Sequence, residues 1–171
     1  MRNNRFWIIL TLAVVALQIL WMSNVGYALP YVPHFFVILL ILFPFRYPTK
    51  LFLVYAFFTG LMIDWAYGTG GLYAVSALTF AGLRQIYLTQ FKRDITGKNI
   101  RFEEWNLGQF FYRSFWAILL YETLFYFFDY LSIEALWLQA KNILLQSLTT
   151  WIFVILFYLL FIYKSPALER G

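Results

Sequence analysis

The sequence predicts an all-α integral membrane protein with six transmembrane helices and both termini on the cytoplasmic side. Three observations carry that expectation: the apolar fraction, the length of the apolar runs, and the placement of the cations between them. Of the 171 residues, 63% are hydrophobic and only 12% are charged, and the mean hydropathy is +0.70. A soluble domain of this size leaves too much surface in water to conceal so much apolar side chain, so lipid must solvate the rest. Residues 1–171 read as a single membrane domain without internal repeats, and residues 92–109 form the only sizeable polar loop.

Crossing about 30 Å of hydrocarbon takes roughly 17–25 helical residues, and six apolar runs compete for that role. The first, residues 6–22, follows Arg2 and Arg5. It is longer than the apolar core of a secretion signal and five further runs follow it, so an uncleaved helix is expected despite the small-x-small triplet Gly26-Tyr27-Ala28. The second, residues 33–45, is short and bounded by Pro33 on one side and Pro44 and Pro48 on the other. A short crossing helix and a re-entrant hairpin both accommodate it. Arg46, Pro48 and Lys50 then make a surface turn before the third span, residues 49–67. The remaining spans cover residues 72–91, 110–130 and 143–163.

Loop charge sets the orientation. One side carries Arg2, Arg5, Arg46, Lys50, Lys92, Arg93, Lys98, Arg101, Lys164 and Arg170, whereas the opposite loops carry Lys141 alone. Cations in short loops stay on the cytoplasmic side, which places both termini there. The net charge of +5 is thereby used as a topology signal. No basic stripe with interleaved exposed aromatics is available for nucleic acid. The loop at residues 92–109, which also holds Glu103, Glu104 and Trp105, reads as a segment lying on anionic headgroups, with docking of a cytoplasmic protein as the alternative.

Three ionisable residues within the spans need a reason to be there: Asp64, Arg84 and Glu122. At 1.5 Å per residue, Asp64 and Glu122 fall in the outer half of the membrane and Arg84 in the inner half. An Arg84–Glu122 pair is expected if the fourth and fifth helices are antiparallel neighbours, fixing register more than adding stability. A proton relay is the alternative, disfavoured because no histidine is expected between the two acids. Asp64 closes the run Phe58-Thr59-Gly60-Leu61-Met62-Ile63-Asp64 and precedes a turn rich in glycine, at Gly68, Gly70 and Gly71. Its carboxylate is expected either to accept backbone N–H groups from that turn or to anchor a helix interface. Gly60, Ala74, Ser76, Ala77, Ala81 and Gly82 concentrate small side chains on the third and fourth helices, where close approach of helices is expected.

Other chemistry is excluded by what the chain lacks. There is no cysteine, hence no disulfide, thiol nucleophile or thiolate metal site. His34, the single histidine, is expected at the outer interface beside Pro33, away from acid partners, so neither a metal site nor a Ser-His-Asp arrangement is expected. Gly68-Thr69-Gly70-Gly71 follows a helix and carries no lysine, unlike a phosphate loop. The residues point to no cofactor and no catalytic site.

The run from Phe58 to Asp64, the glycine turn, Gly71-Leu72-Tyr73-Ala74 and then Leu83-Arg84 resemble the MreD family of rod shape-determining membrane proteins, whose pattern is an apolar run, G-L-x-x-D, a short turn and G-x-x-A. Pro33 and the Pro44–Pro48 break also fit. Tyr73 stands where many members carry histidine. The resemblance implies a fold similar to the substrate-binding subunits of ECF vitamin transporters. It also implies a non-catalytic scaffold of the bacterial cell-wall elongation complex in the inner membrane, supporting lateral peptidoglycan synthesis and cell shape. The implied partners are an MreC-like single-span protein, a RodA-type glycosyltransferase, a class B penicillin-binding protein and actin-like MreB. Gly60, Asp64, Gly70, Gly71, Tyr73, Arg84 and Glu122 are the structural or partner-binding candidates. An ECF-type subunit that binds a small molecule or lipid precursor is the alternative, and requires an outward-opening polar pocket near Asp64, Tyr73 and Glu122.

Overall fold

The computed structural model describes residues 4–24, 31–44, 47–94 and 107–162. Arg2, Arg46, Lys98, Arg101, Glu103, Glu104, Trp105, Lys164 and Arg170 lie outside the described residues, and with them most of the charges used for orientation. The described residues form α1 (Asn4–Asn24), α2 (Val37–Leu42), α3 (Thr49–Tyr67), α4 (Leu72–Asp94), α5 (Leu107–Tyr130), α6 (Ile133–Leu138) and α7 (Ala140–Phe157), the last continuing into a π-helical turn at Tyr158–Ile162. No strand occurs among them. Three stretches, Trp7–Asn24, Thr49–Tyr67 and Ala140–Leu160, are each long and apolar enough to cross a membrane.

α1 and α3 run parallel. The Thr11 hydroxyl lies 2.7 Å from the Tyr55 hydroxyl, and one end further along both helices the Tyr67 hydroxyl donates to the Gln18 carbonyl at 2.7 Å. The chain between two consecutive parallel helices must travel back along them, and residues 31–44 do so through the middle of the bundle. This segment starts beside Gln18, whose amide donates to the Pro33 carbonyl at 3.1 Å, and ends with the Phe43 ring against Trp7, 6.3 Å between centroids.

This return segment corrects the second predicted span. Only six residues of it are α-helical, and residues 33–43 are buried throughout. Proline disfavours helix in the residue before it, which restricts Val32 and Phe43, and Phe43 is extended at φ −55°, ψ 126°. A six-residue helix rises only about 9 Å. Outside those six residues the strap is not α-helical, so a residue there can cover more than one helical step of about 1.5 Å, which lets so short a strap retrace α1.

A non-helical backbone in an apolar interior must find hydrogen-bond partners outside itself. The strap draws them from three helices. Gln18 of α1 and Gln146 of α7 donate to the carbonyls of Pro33 and Val32, and the Thr150 hydroxyl of α7 accepts the His34 N–H at 3.1 Å. At the other end the Arg84 guanidinium of α4 donates to the carbonyls of Ile41 and Phe43 at 3.2 and 3.0 Å.

α3 and α4 form a tight antiparallel hairpin. A Cβ on Gly60 would sit 2.6 Å from both the Ala74 Cα and the Tyr73 carbonyl oxygen, so the two backbones touch there. Gly82, also counted among the small packing residues, has nothing within 4 Å of its Cβ position and takes no part in that contact. α5 and α7 pair through Trp151, whose indole N–H donates to the Phe111 carbonyl at 3.1 Å, and through the stacked rings of Phe110 and Tyr158, 3.8 Å apart. Between them, the stretch expected to be a loop contains α6; Leu131, at φ 50°, ends α5.

Candidate functional site

Asp64 lies in the last turn of α3 and is buried. Gly68 and Thr69 donate their N–H groups back to the Asp64 carbonyl at 2.7 and 3.3 Å, closing α3 with Gly68 at φ 67°. Gly70 and Gly71, at φ 66° and 101°, then reverse the chain through backbone conformations that side-chain-bearing residues rarely adopt. The reversal brings the start of α4 onto the Asp64 side chain. Oδ1 accepts from the Thr69 hydroxyl and from the Tyr73 N–H at 3.0 Å, and Oδ2 accepts from the Ala74 N–H at 2.7 Å. Those two amides are donors that the first turn of a helix leaves without intrahelical partners. Gly71, at the capping position, has no side chain to serve them, so Asp64 caps α4 from the preceding helix. Its negative charge also faces the positive end of the helix dipole.

A second polar cluster lies one side chain away. His34 is 4% exposed, not interfacial as its neighbour Pro33 suggested. Its Nδ1 lies 3.0 Å from both Glu122 oxygens, and the Thr150 hydroxyl donates to Glu122 Oε1 at 3.0 Å. The expected Arg84–Glu122 pair is therefore corrected: Glu122 is held by His34 and Thr150, while Arg84 serves the strap carbonyls and lies over the Phe52 ring at 4.7 Å. The strap passes between α4 and α5 and puts its own histidine where the arginine was expected.

Tyr73 joins the two clusters. Its N–H is on Asp64, while its hydroxyl lies 3.4 Å from His34 Nε2 and 3.8 Å from Met22 Sδ. Its ring packs edge-on to His34 at 5.3 Å and against Phe125 at 4.9 Å. Phe36 and Tyr121 complete the layer, 5.5 Å apart. The space between Asp64, Tyr73 and Glu122, expected by the alternative reading to be a polar pocket, is thus filled by packed rings. A shallow open groove of about 560 Å³ lies instead on the outside of the hairpin, lined by Phe58, Leu61, Met62 and Trp65 of α3, with Gly70, Gly71 and Asp64 at its end.

Hydroxyl, imidazole and carboxylate follow one another as in a hydrolase triad. The hydroxyl here is a phenol, 3% exposed and walled in by rings, so no substrate carbonyl can approach it. Ser76 and Ser114 each donate to a carbonyl of their own helix, at 2.7 and 3.1 Å. Among the described residues no third His, Cys, Asp or Glu joins His34 and Glu122 to make a metal site. What the arrangement can do is hold the strap in place, through Glu122 and Thr150 on His34. Sequence reasoning missed His34, although a signal existed: one histidine opening the most apolar run, and one intramembrane glutamate, each in need of a partner.

Comparison with family models, with curated proteins and with solved structures returns no match for this chain.

Proposed function

We propose that this chain is a non-catalytic scaffold subunit of the bacterial cell-wall elongation machinery, an MreD-like inner-membrane protein that crosses six times with both termini in the cytoplasm. It would support lateral peptidoglycan synthesis by binding the transmembrane helix of an MreC-like partner, in a complex with a RodA-type glycosyltransferase, a class B penicillin-binding protein and MreB. The observation that carries this reading is the convergence of the motif on one unit. Gly60 touches Ala74, Asp64 caps Tyr73 and Ala74, and the Gly70–Gly71 turn joins them, so the residues that resemble the family are the ones that build the hairpin.

The small-residue face of α3 and α4, which would otherwise be open to a partner helix, is partly consumed inside the hairpin at Gly60. The groove on the outer face of α3 takes its place. Trp65 is 89% exposed there, and the Cβ positions of Gly70 and Gly71 are open, so a partner helix can approach their backbone closely. An ECF-type carrier is less well supported, because rings fill the interior where its ligand would sit.

Photo-crosslinking in native membranes tests the reading. A photoreactive residue at Met62 or Trp65 is expected to capture a single-span protein, and one at Ile152, exposed on α7, is not. Equal labelling by lipid alone at all three positions would reject the scaffold reading.

A further inference from the structure

The geometry points to the short helix α6 as a membrane anchor that lies in the phospholipid headgroup layer and seats Trp137 and Leu138 in lipid. Its depth follows from where α7 begins. Ala140–Leu160 is apolar enough to cross a membrane and is 21 residues long. At 1.5 Å per residue such a stretch rises about 31 Å, the whole thickness of the hydrocarbon. Gln139 alone separates α6 from it, so α6 sits at the boundary, neither deep in hydrocarbon nor far out in water. Gln139, at φ −91°, ψ 2°, leaves helical geometry, and its carbonyl accepts the Ile143 N–H at 2.9 Å. α6 is therefore an element of its own and not a further turn of α7.

The exposed side chains identify the occupant. Lys141, Leu144, Leu148, Ile152 and Leu156 are exposed at intervals of three or four residues and make one line along α7. On a helix that crosses a membrane, such a line faces lipid. Trp137 and Leu138 stand four and three residues before Lys141 and are 83% and 79% exposed. They carry the lipid-facing line past the end of the crossing helix. Leu131, exposed as well, precedes α6, so the connection turns apolar side chains outward at both ends.

The headgroup layer suits each of these groups. An indole has an apolar body and an N–H that can meet ester and phosphate oxygens, which is why tryptophan collects at that depth. Helical side chains lean toward the N-terminus, so Lys141 carries its ammonium out of the hydrocarbon to the phosphates while its stem stays on apolar surface. Glu134, exposed in the first turn of α6, keeps that turn on the water side. The anchored end is also where the strap enters the bundle, since the Tyr31 hydroxyl donates to Asn142 in the first turn of α7 at 3.2 Å. The anchor requires only that α7 cross the membrane, and stands apart from the scaffold reading.

The chain has no cysteine, so one introduced cysteine carries the only nitroxide label on the full-length protein. In vesicles of phosphatidylethanolamine and phosphatidylglycerol, collisions with oxygen report lipid and collisions with a nickel chelate report water. Labels at Trp137→Cys and Leu138→Cys are expected to favour oxygen over nickel and to lie within about 10 Å of the headgroup–acyl boundary. A label at Leu148→Cys should lie deeper. Both α6 side chains are exposed, and either position decides the matter if the other variant does not fold. Labels that meet nickel as freely as a dissolved nitroxide would overturn the anchor. Labels shielded from both reagents would overturn it too, because they would mark a contact with protein in place of lipid.

Discussion

The α3–α4 hairpin and the strap at residues 31–44 solve the same problem in opposite ways. Both are breaks in helix within an apolar protein, and both must satisfy backbone groups without water. The hairpin does so from within its own neighbourhood: Asp64 serves Thr69, Tyr73 and Ala74, all within ten residues. The strap does so at long range, with Gln18, Arg84, Gln146 and Thr150 arriving from three helices, up to 116 residues away. Local satisfaction makes a unit that needs little from the rest of the fold, and distant satisfaction makes one that exists only after the bundle closes. Tyr73 connects the two.

The comparison can be broken hardest at the strap. Glu122→Ala strands the His34 and Thr150 donors in an apolar interior and is expected to cost about 3–5 kcal/mol, as breaking one member of a buried pair does. Unfolding monitored in detergent measures it, and a loss under about 1 kcal/mol, the level of an exposed pair, would mean that the clasp does not hold the strap. Asp64→Ala removes a cap and leaves two buried amides without acceptors, for about 2–3 kcal/mol. Proteolysis at residues 68–71 should rise in that variant and stay near wild type in Glu122→Ala, since the turn is locally held. Because Tyr73 joins the clusters, the double variant should depart from additivity by about 0.5 kcal/mol or more.

The smallest effects separate two glycines that look alike in sequence. Gly60→Ala must push the α3 and α4 backbones apart and should cost about 1–3 kcal/mol. Gly82→Ala meets open space in the middle of α4 and should be neutral or stabilise by up to about 1 kcal/mol. Equal effects in thermal unfolding would remove the close contact at Gly60 from the account of the hairpin.

What the sequence determined by itself is what depends on neighbours along the chain. The bounds of α3 and the turn at Gly68–Gly71 were legible because apolar run length, glycine at positive φ and a carboxylate beside free amides act within a few residues. The strap was legible only as a short run broken by prolines, since nothing local states where its carbonyls find donors. Glu122 was expected to pair with Arg84, and His34 was expected away from any acid, yet either side chain meets the requirement that a buried carboxylate be paired. Only the tertiary structure chose between them. The parallel course of α1 and α3 sends the strap back between α4 and α5, which sets His34 against a residue 88 positions away and leaves Arg84 to the strap's far carbonyls. A buried charge specifies that it must have a partner, and the path of the chain decides which one it meets.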